Sequence, residues 1–292
     1  MSTTNHTAPV PVIETILSRY DVAVPRILYG TAWKEKQTAA LVEQALDCGF
    51  RGIDTACQPK HYDEAGVGDG IAAQKQRGLV ARADLYLQSK FTPIGGQDPR
   101  RIPYDSHSSL GRQIEQSMRV SLRNLKTTTL DCLILHSPMA THAQTMVAWK
   151  AMEQLVSDGH VRQLGLSNCY DPQQFEALVR DAHHKPAVLQ NRFHAATGYD
   201  RAIRRICQQH HILYQGFWIL SANRNVLHRP VMRDLAVAYR CSPEVILLRY
   251  TSQMGMIPLT GTTSLAHMQD DLAMFNFTLT PVELAAVDAL LG

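Results

Sequence analysis

Short apolar runs that stop on a polar residue recur along the chain. Residues 49–54 pass through Phe50 and Ile53 to the carboxylate of Asp54; 84–90 end on Lys90, 130–136 on His136, and 161–168 on Ser167 and Asn168. Runs of this kind are the pattern of parallel strands buried on both faces. Four more, at 25–32, 186–190, 212–218 and 255–263, bring the number of expected strands to eight.

Helical periodicity fills the intervals. Residues 36–48 place Ala40, Leu41, Gln44, Ala45 and Cys48 on one face, with Gly49 as the stop. Further helices are expected at 64–77, 110–125, 141–157, 171–182, 200–210 and 229–240. Another opens on Ser242 with Pro243 at its first position, and the last on Thr280, whose spacing to Glu283 is that of a capping box. Residues 92–109 carry Pro93, Gly95, Gly96, Pro99 and Pro103 and read as a loop over the rim, placed to contact a ligand. Residues 221–228 read as a polar loop.

Strand and helix alternation of this length predicts an α/β fold, a single (β/α)8 TIM barrel with additional helices and rim loops, rather than an open doubly wound sheet. No linker divides the chain, so residues 25–292 are expected to form one domain after a partly disordered leader at 1–24. In a closed barrel the carboxyl ends of the strands share one rim. Asp54, Lys90, His136 and Asn168 would then meet.

Composition narrows the class. Hydrophobic residues make up 45% and charged residues 19%, and no apolar run nears the roughly 20 residues that span a bilayer. The net charge is +3, with no Lys/Arg stripe of the kind that tracks nucleic acid. The start of the chain lacks the charged and apolar segments of a secretory signal, so a cytoplasmic protein is expected. The six cysteines are scattered without a C-x-x-C pair, and the His183-His184 and His210-His211 neighbours point apart on a helix; neither a disulfide framework nor a metal site is expected. Met118, Met146 and Met152 fall inside helices and read as core. Gly66-Val67-Gly68-Asp69-Gly70 lacks full Gly-x-Gly-x-x-Gly spacing and starts a helix, so it is not a phosphate loop. Trp33 either borders the rim pocket or packs beneath it.

The candidate chemistry lies in Asp54, Tyr62, Lys90 and His136. A nearby ammonium favours a phenolate, so Lys90 is expected to lower the pKa of Tyr62. Asp54 would hold Lys90 charged, and His136 would donate a hydrogen bond to a carbonyl oxygen. Such a set hands a proton to an oxygen on which charge is developing. The hydride half of a reduction must come from a nicotinamide cofactor.

Gly49-Phe50-Arg51-x-Ile53-Asp54-Thr55-Ala56 with Glu64-x-x-Val67-Gly68, then Ser89-Lys90, Leu135-His136-x-Pro138 and Gly165-Leu166-Ser167-Asn168, resembles the aldo-keto reductase family from about Pro25 to Leu291. The resemblance implies a TIM-barrel oxidoreductase that reduces aldehydes or ketones with NADP(H). Tyr62 would be proton donor, tuned by Lys90 and Asp54, with His136 orienting the carbonyl. It further implies that Ser167, Asn168 and Gln190 hold the nicotinamide carboxamide and that Phe217, where the family usually has tyrosine, stacks on the ring. Leu220 and Ser221 would cover the pyrophosphate, and Gly30 and Thr31 would also face the cofactor. The implied partner is a small carbonyl substrate, with no nucleic acid or membrane partner and the chain a monomer or weak homo-oligomer.

Three departures bear on these roles. The family's tyrosine stands five residues after the aspartate, where Pro59 stands here; counting back from Glu64 reaches His61. Tyr62 is the preferred donor, because a neutral imidazole cannot replace a tuned phenol, and His61 is the alternative. Ile257-Pro258-Leu259-Thr260 replaces the family's Ile-Pro-Lys-Ser, and His267 aligns with the arginine that grips the 2′-phosphate. Thr260 and Thr262 remain for phosphate, Asp270 and Asp271 fall at the adenine, and NADP(H) is expected over NAD(H) with weakened affinity. Finally, Ser137 replaces a tryptophan after His136, leaving Trp218 to supply an aromatic wall. The rival readings are a cofactor-binding regulatory module with little turnover, and an aldolase-like barrel using Lys90 as a Schiff-base nucleophile.

Overall fold

The computed structural model describes residues 13–292. The expected leader disorder at 1–12 lies outside the described residues, but 13–25 is ordered structure: β1 (Thr15–Leu17) and β2 (Ala23–Pro25) pair antiparallel. The reversal is fixed locally, with the Tyr20 and Val22 N–H groups donating to Ser18 Oγ. Val22 and Val24 pack against Leu28, Tyr86, Ile134 and Val188 of the barrel interior, so the hairpin closes the floor. Strands of three residues leave too short a pattern to read, and their stability comes from that packing rather than from their own pairing.

Eight parallel strands follow: β3 (Leu28–Gly30), β4 (Gly52–Asp54), β5 (Tyr86–Phe91), β6 (Cys132–Leu135), β7 (Leu164–Ser167), β8 (Val188–Arg192), β9 (Leu213–Phe217) and β10 (Met256–Thr260). They pair in chain order, and β10 returns to β3 to close the barrel. Only one or two side chains per strand need reach the rim for sites separated by a hundred residues to meet.

The helices are α1 (Thr38–Cys48), α2 (Glu64–Gln76), α3 (Leu110–Asn124), α4 (His142–Ser157), α5 (Pro172–Asp181), α6 (Arg201–Gln209), α7 (Arg224–Leu227), α8 (Pro230–Tyr239), α9 (Pro243–Gln253), α10 (Leu265–Ala273) and α11 (Pro281–Asp288). Gly49 ends α1 at φ 117°, a conformation that costs glycine little. Ser242 caps α9, and the Thr280–Glu283 box caps α11 with both reciprocal bonds made. A Cβ on Gly68 would lie 2.0 Å from the Asn124 carbonyl oxygen and one on Gly70 2.6 Å from that of Ala39, so these glycines serve close packing of α2 against α3 and α1, as expected of a helix rather than a phosphate loop. Besides the β1–β2 hairpin, two helices went unread in the sequence: α10, behind its Ser264 cap, and the single turn α7 inside the polar loop.

Met118 and Met152 are core, Met146 packs at its edge, and all six cysteines are free. No helix among the described residues is long and apolar enough to cross a membrane.

Candidate functional site

One cleft of about 780 Å³ opens at the carboxyl ends of the strands. At one end it reaches Asp54, Tyr62 and His136; at the other it reaches Ser242 and Glu244 at the start of α9, and His267, Asp270 and Asp271 on α10. Gly30, Ser167, Asn168, Gln190, Phe217, Leu220, Ser221, Thr260 and Thr262 line the stretch between. The rim thus brings together nearly every residue singled out in the sequence.

Asp54 ends β4 and Lys90 lies near the end of neighbouring β5. Lys90 Nζ donates to both Asp54 carboxylate oxygens at 2.7 Å and to the Thr55 carbonyl at 2.9 Å. Burial pulls the Lys90 pKa down, but Asp54 and Tyr62 together more than reverse this, and the net direction is up. The ammonium therefore stays charged, just behind the cleft surface.

Beneath this pair lies a glutamine cluster. Gln88 Nε2 donates to Asp54 Oδ1 at 2.6 Å and to Gln215 Oε1 at 2.8 Å, and Gln215 Nε2 returns a bond to Gln88 Oε1. Gln190 Nε2 donates to Asp54 Oδ1 at 3.0 Å and to Gln215 Oε1 at 2.9 Å. Both amide hydrogens of Gln190 are spent within the barrel, which leaves its Oε1 as an acceptor toward the cleft.

Tyr62 stands in the turn before α2, with its ring centroid 5.2 Å from Lys90 Nζ. The expectation of a lowered pKa is corrected here. Burial raises the phenol pKa by more than the Lys90 charge lowers it, and Asp54 adds to the rise. His61, the alternative, also lines the cleft, but its imidazole lies against Trp33, with centroids 3.7 Å apart and planes 36° to each other, and its carbonyl accepts the Trp33 N–H. Trp33 is 66% exposed and borders the cleft.

His136 follows β6, its ring 6.1 Å from that of Tyr62 in an edge-on arrangement. Burial, then the charges of Lys90 and His61, hold its pKa well below the ordinary value, so the imidazole is neutral. The Thr92 hydroxyl lies 2.6 Å from His136 Nδ1. Assigning that hydroxyl as donor leaves the proton on Nε2.

Ser167 ends β7 and donates to the Gln190 carbonyl at 2.7 Å; Asn168 Nδ2 donates to the His136 carbonyl at 2.9 Å. Asn168 has φ 52°, a left-handed conformation asparagine tolerates, and it turns the chain there across the rim. Phe217 ends β9, and Trp218 beside it supplies the expected second aromatic wall.

At the far end Thr260 Oγ1 donates to Asp271 at 2.5 Å. Burial raises the Asp271 pKa to about 6 against opposing contributions from Thr260 and His267, with Asp270 and Glu244 adding to the rise. Lys34, buried beside Trp33, donates to the Gly261 carbonyl.

Two expectations fail on placement. Thr31 does not line the cleft: it is fully buried and its hydroxyl donates to the Asp54 carbonyl at 2.9 Å. No residue of the 92–109 loop lines it either. That loop folds onto its own base through Tyr104 Oη to the Thr92 carbonyl, and braces the turn after β4 through Gln97 and Gln58. Sequence reading also missed Thr92, Gln88, Gln215, Arg192, Lys34 and Glu244. For Arg192 a signal existed: it lies two residues after Gln190 on one strand and so shares its face. Among the described residues no group of three His, Cys, Asp or Glu side chains is arranged to hold a metal.

The family profile described as "Aldo/keto reductase family" matches residues 26–291. An uncharacterized oxidoreductase of Bacillus subtilis, YtbE, is 29% identical over 250 residues, covering 85% of this chain and 82% of that one. Aldo-keto reductase family 1 member A1 of Gallus gallus is 28% identical, covering 91% and 85%. Among solved structures, a Bombyx mori aldo-keto reductase in complex with NADP superposes with a TM-score of 0.80 at 24% identity, covering 95% and 92% of the two chains. An aldo/keto reductase from Brucella melitensis gives 0.80 at 24%, covering 96% and 100%.

Proposed function

The chain belongs to the aldo/keto reductase family, and from that premise we propose that it is an NADP(H)-dependent oxidoreductase that reduces a small aldehyde or ketone, with Tyr62 as proton donor. One observation carries the reading: a buried, charged Lys90–Asp54 pair stands behind Tyr62, across from a neutral His136.

The cofactor, when bound, supplies the hydride. The chain supplies the rest. Ser167, Asn168 and the free Oε1 of Gln190 hold the carboxamide, and Phe217 faces the ring. An Oε1 with both amide hydrogens already engaged can only accept, which suits the N–H of a carboxamide. Leu220 and Ser221 cover the pyrophosphate, and Thr260, Thr262 and His267 meet the adenosine end beside Asp271.

The substrate oxygen sits between Tyr62 Oη and His136 Nε2. His136, held in the Nε2–H tautomer by Thr92, donates a hydrogen bond to it as negative charge develops. Tyr62 then gives up its proton. Its raised pKa keeps the phenol loaded near neutral pH, and the alkoxide formed is basic enough to take the proton. Lys90, already charged, stabilises the resulting phenolate at once, with no side chain having to reorganise.

The test is oxidation of NADPH by the full-length wild-type protein with a reactive aromatic aldehyde, with NADH run in parallel. Aldehyde-dependent oxidation supports the reading. Tight NADPH binding without turnover favours the regulatory alternative.

A further inference from the structure

Arg192 is the last residue of β8 and lines the cleft two positions beyond Gln190. Its guanidinium carbon lies 3.9 Å from the centroid of the Trp218 ring and 5.9 Å from that of Phe217. Stacking on an aromatic face holds the planar fork in place and leaves its edge donors turned away from the ring. Yet among the described residues those donors find nothing. Arg192 makes no ion pair, whereas Arg82 and Arg162 share Asp131, and Arg201 takes Asp288. Its Nε is buried without an acceptor.

The acids of the cleft do not answer this charge. Asp54 is taken by Lys90, and Glu244, Asp270 and Asp271 stand at the α9–α10 end. A buried donor left unpaired is costly, more so when charged, so an oxyanion brought by a ligand has a ready gain there.

We propose that Arg192 is an oxyanion seat on the cleft wall, taking a carboxylate or phosphoryl group edge-on while Trp218 holds the guanidinium flat. Two ligands carry that chemistry: a carbonyl substrate bearing a carboxylate, or the diphosphate of the dinucleotide. The seat itself does not rest on the reductase reading; only the identity of its occupant does.

The quenching of tryptophan fluorescence reads the seat directly, because Trp218 lies against the guanidinium. Full-length protein is titrated with inorganic pyrophosphate, benzoate and, as an uncharged control, benzyl alcohol. The comparison uses wild type, Arg192→Leu and Arg192→Lys. Loss of charge-assisted bonds predicts dissociation constants raised roughly tenfold or more in Arg192→Leu for at least one anion, with benzyl alcohol unchanged. Arg192→Lys should recover only part, since an ammonium lacks the fork. Weakening confined to benzoate assigns the seat to a substrate carboxylate, and weakening confined to pyrophosphate assigns it to the diphosphate. Thermal melting checks folding, and if Arg192→Leu does not fold, Arg192→Lys against wild type decides. Anion binding unchanged in both folded variants, or no anion binding to wild type, overturns the proposal. Because no readout depends on turnover, an inactive protein would defeat the reductase reading and leave this one testable.

Discussion

The two ends of the cleft are built on opposite electrostatic plans. At the Tyr62 end, Asp54 and Lys90 satisfy each other, and the glutamine cluster fixes Asp54 from beneath. At the α9–α10 end, Glu244, Asp270 and Asp271 crowd one wall with His267, and the Asp271 carboxyl is pushed up to about 6 as a result of burial and its acidic neighbours. The first end has its charge balanced before any ligand arrives; the second has like charges waiting for one. On the proposed reading, the first end carries the chemistry and the second bears on which cofactor is preferred.

The contrast breaks most completely at Lys90. Lys90→Met leaves Asp54 buried and unpaired, which should cost about 3–5 kcal/mol in urea unfolding and abolish detectable turnover. Asp54→Asn/Lys90→Met, which removes both charges, should recover part of the stability and none of the turnover. Full stability in Lys90→Met would mean that water reaches the pair.

Thr92→Val comes next. It keeps the shape but removes the bond that sets the His136 tautomer, so kcat should fall roughly tenfold with little change in KM. Nitrogen NMR of His136 should show the Nε2–H form give way to a mixture. An unchanged spectrum would remove Thr92 from the account.

Gln88→Leu leaves Gln215 and Asp54 each short of a partner and should cost about 1–3 kcal/mol. Gln88→Leu/Gln215→Leu replaces both members by apolar groups and should cost less than the sum of the single changes. Additive losses would show that the two glutamines act independently.

The smallest effect is expected at the acidic end. A carboxyl whose folded pKa lies near 6, above the ordinary 3.8, takes up a proton as pH falls through about 6 and loses its negative charge. Repulsion of a 2′-phosphate should therefore ease below that pH. The ratio of NADPH to NADH dissociation constants should fall severalfold between pH 7 and 5, and Asp271→Asn should flatten the change. The same slope in the variant would remove Asp271 as its source and leave other titrating groups, the phosphate itself among them.

These two ends were also unequally legible in the sequence. Asp54, Lys90, His136 and Asn168 each terminate an apolar run, so strand pattern and chemistry reinforce each other. Their meeting at one rim follows from barrel closure alone. Tyr62 and His61 sit in a turn, where spacing says little about direction; only coordinates show Lys90 beside the first and Trp33 against the second. Thr31 misled because it is adjacent to Gly30, and a strand end alternates its faces, so one residue's step turned its hydroxyl into the wall. Gln88 and Gln215 meet across the barrel interior although they stand 127 positions apart in the sequence, a contact no local pattern encodes. The raised pKa of Tyr62 was hidden for a related reason: the Lys90 charge can be read from the sequence, whereas the depth of burial opposing it cannot.

The central claim is that Tyr62 gives the proton at the balanced end of the cleft. Its most direct measurement is steady-state NADPH oxidation with an aromatic aldehyde by wild type, Tyr62→Phe and His61→Phe, alongside NADPH binding to each. The account predicts that Tyr62→Phe binds NADPH as wild type does and loses turnover by about a thousandfold or more, since a general acid usually contributes about 10²–10⁴, while His61→Phe keeps most of its activity. Wild-type turnover in Tyr62→Phe, or its loss in His61→Phe alone, would contradict it.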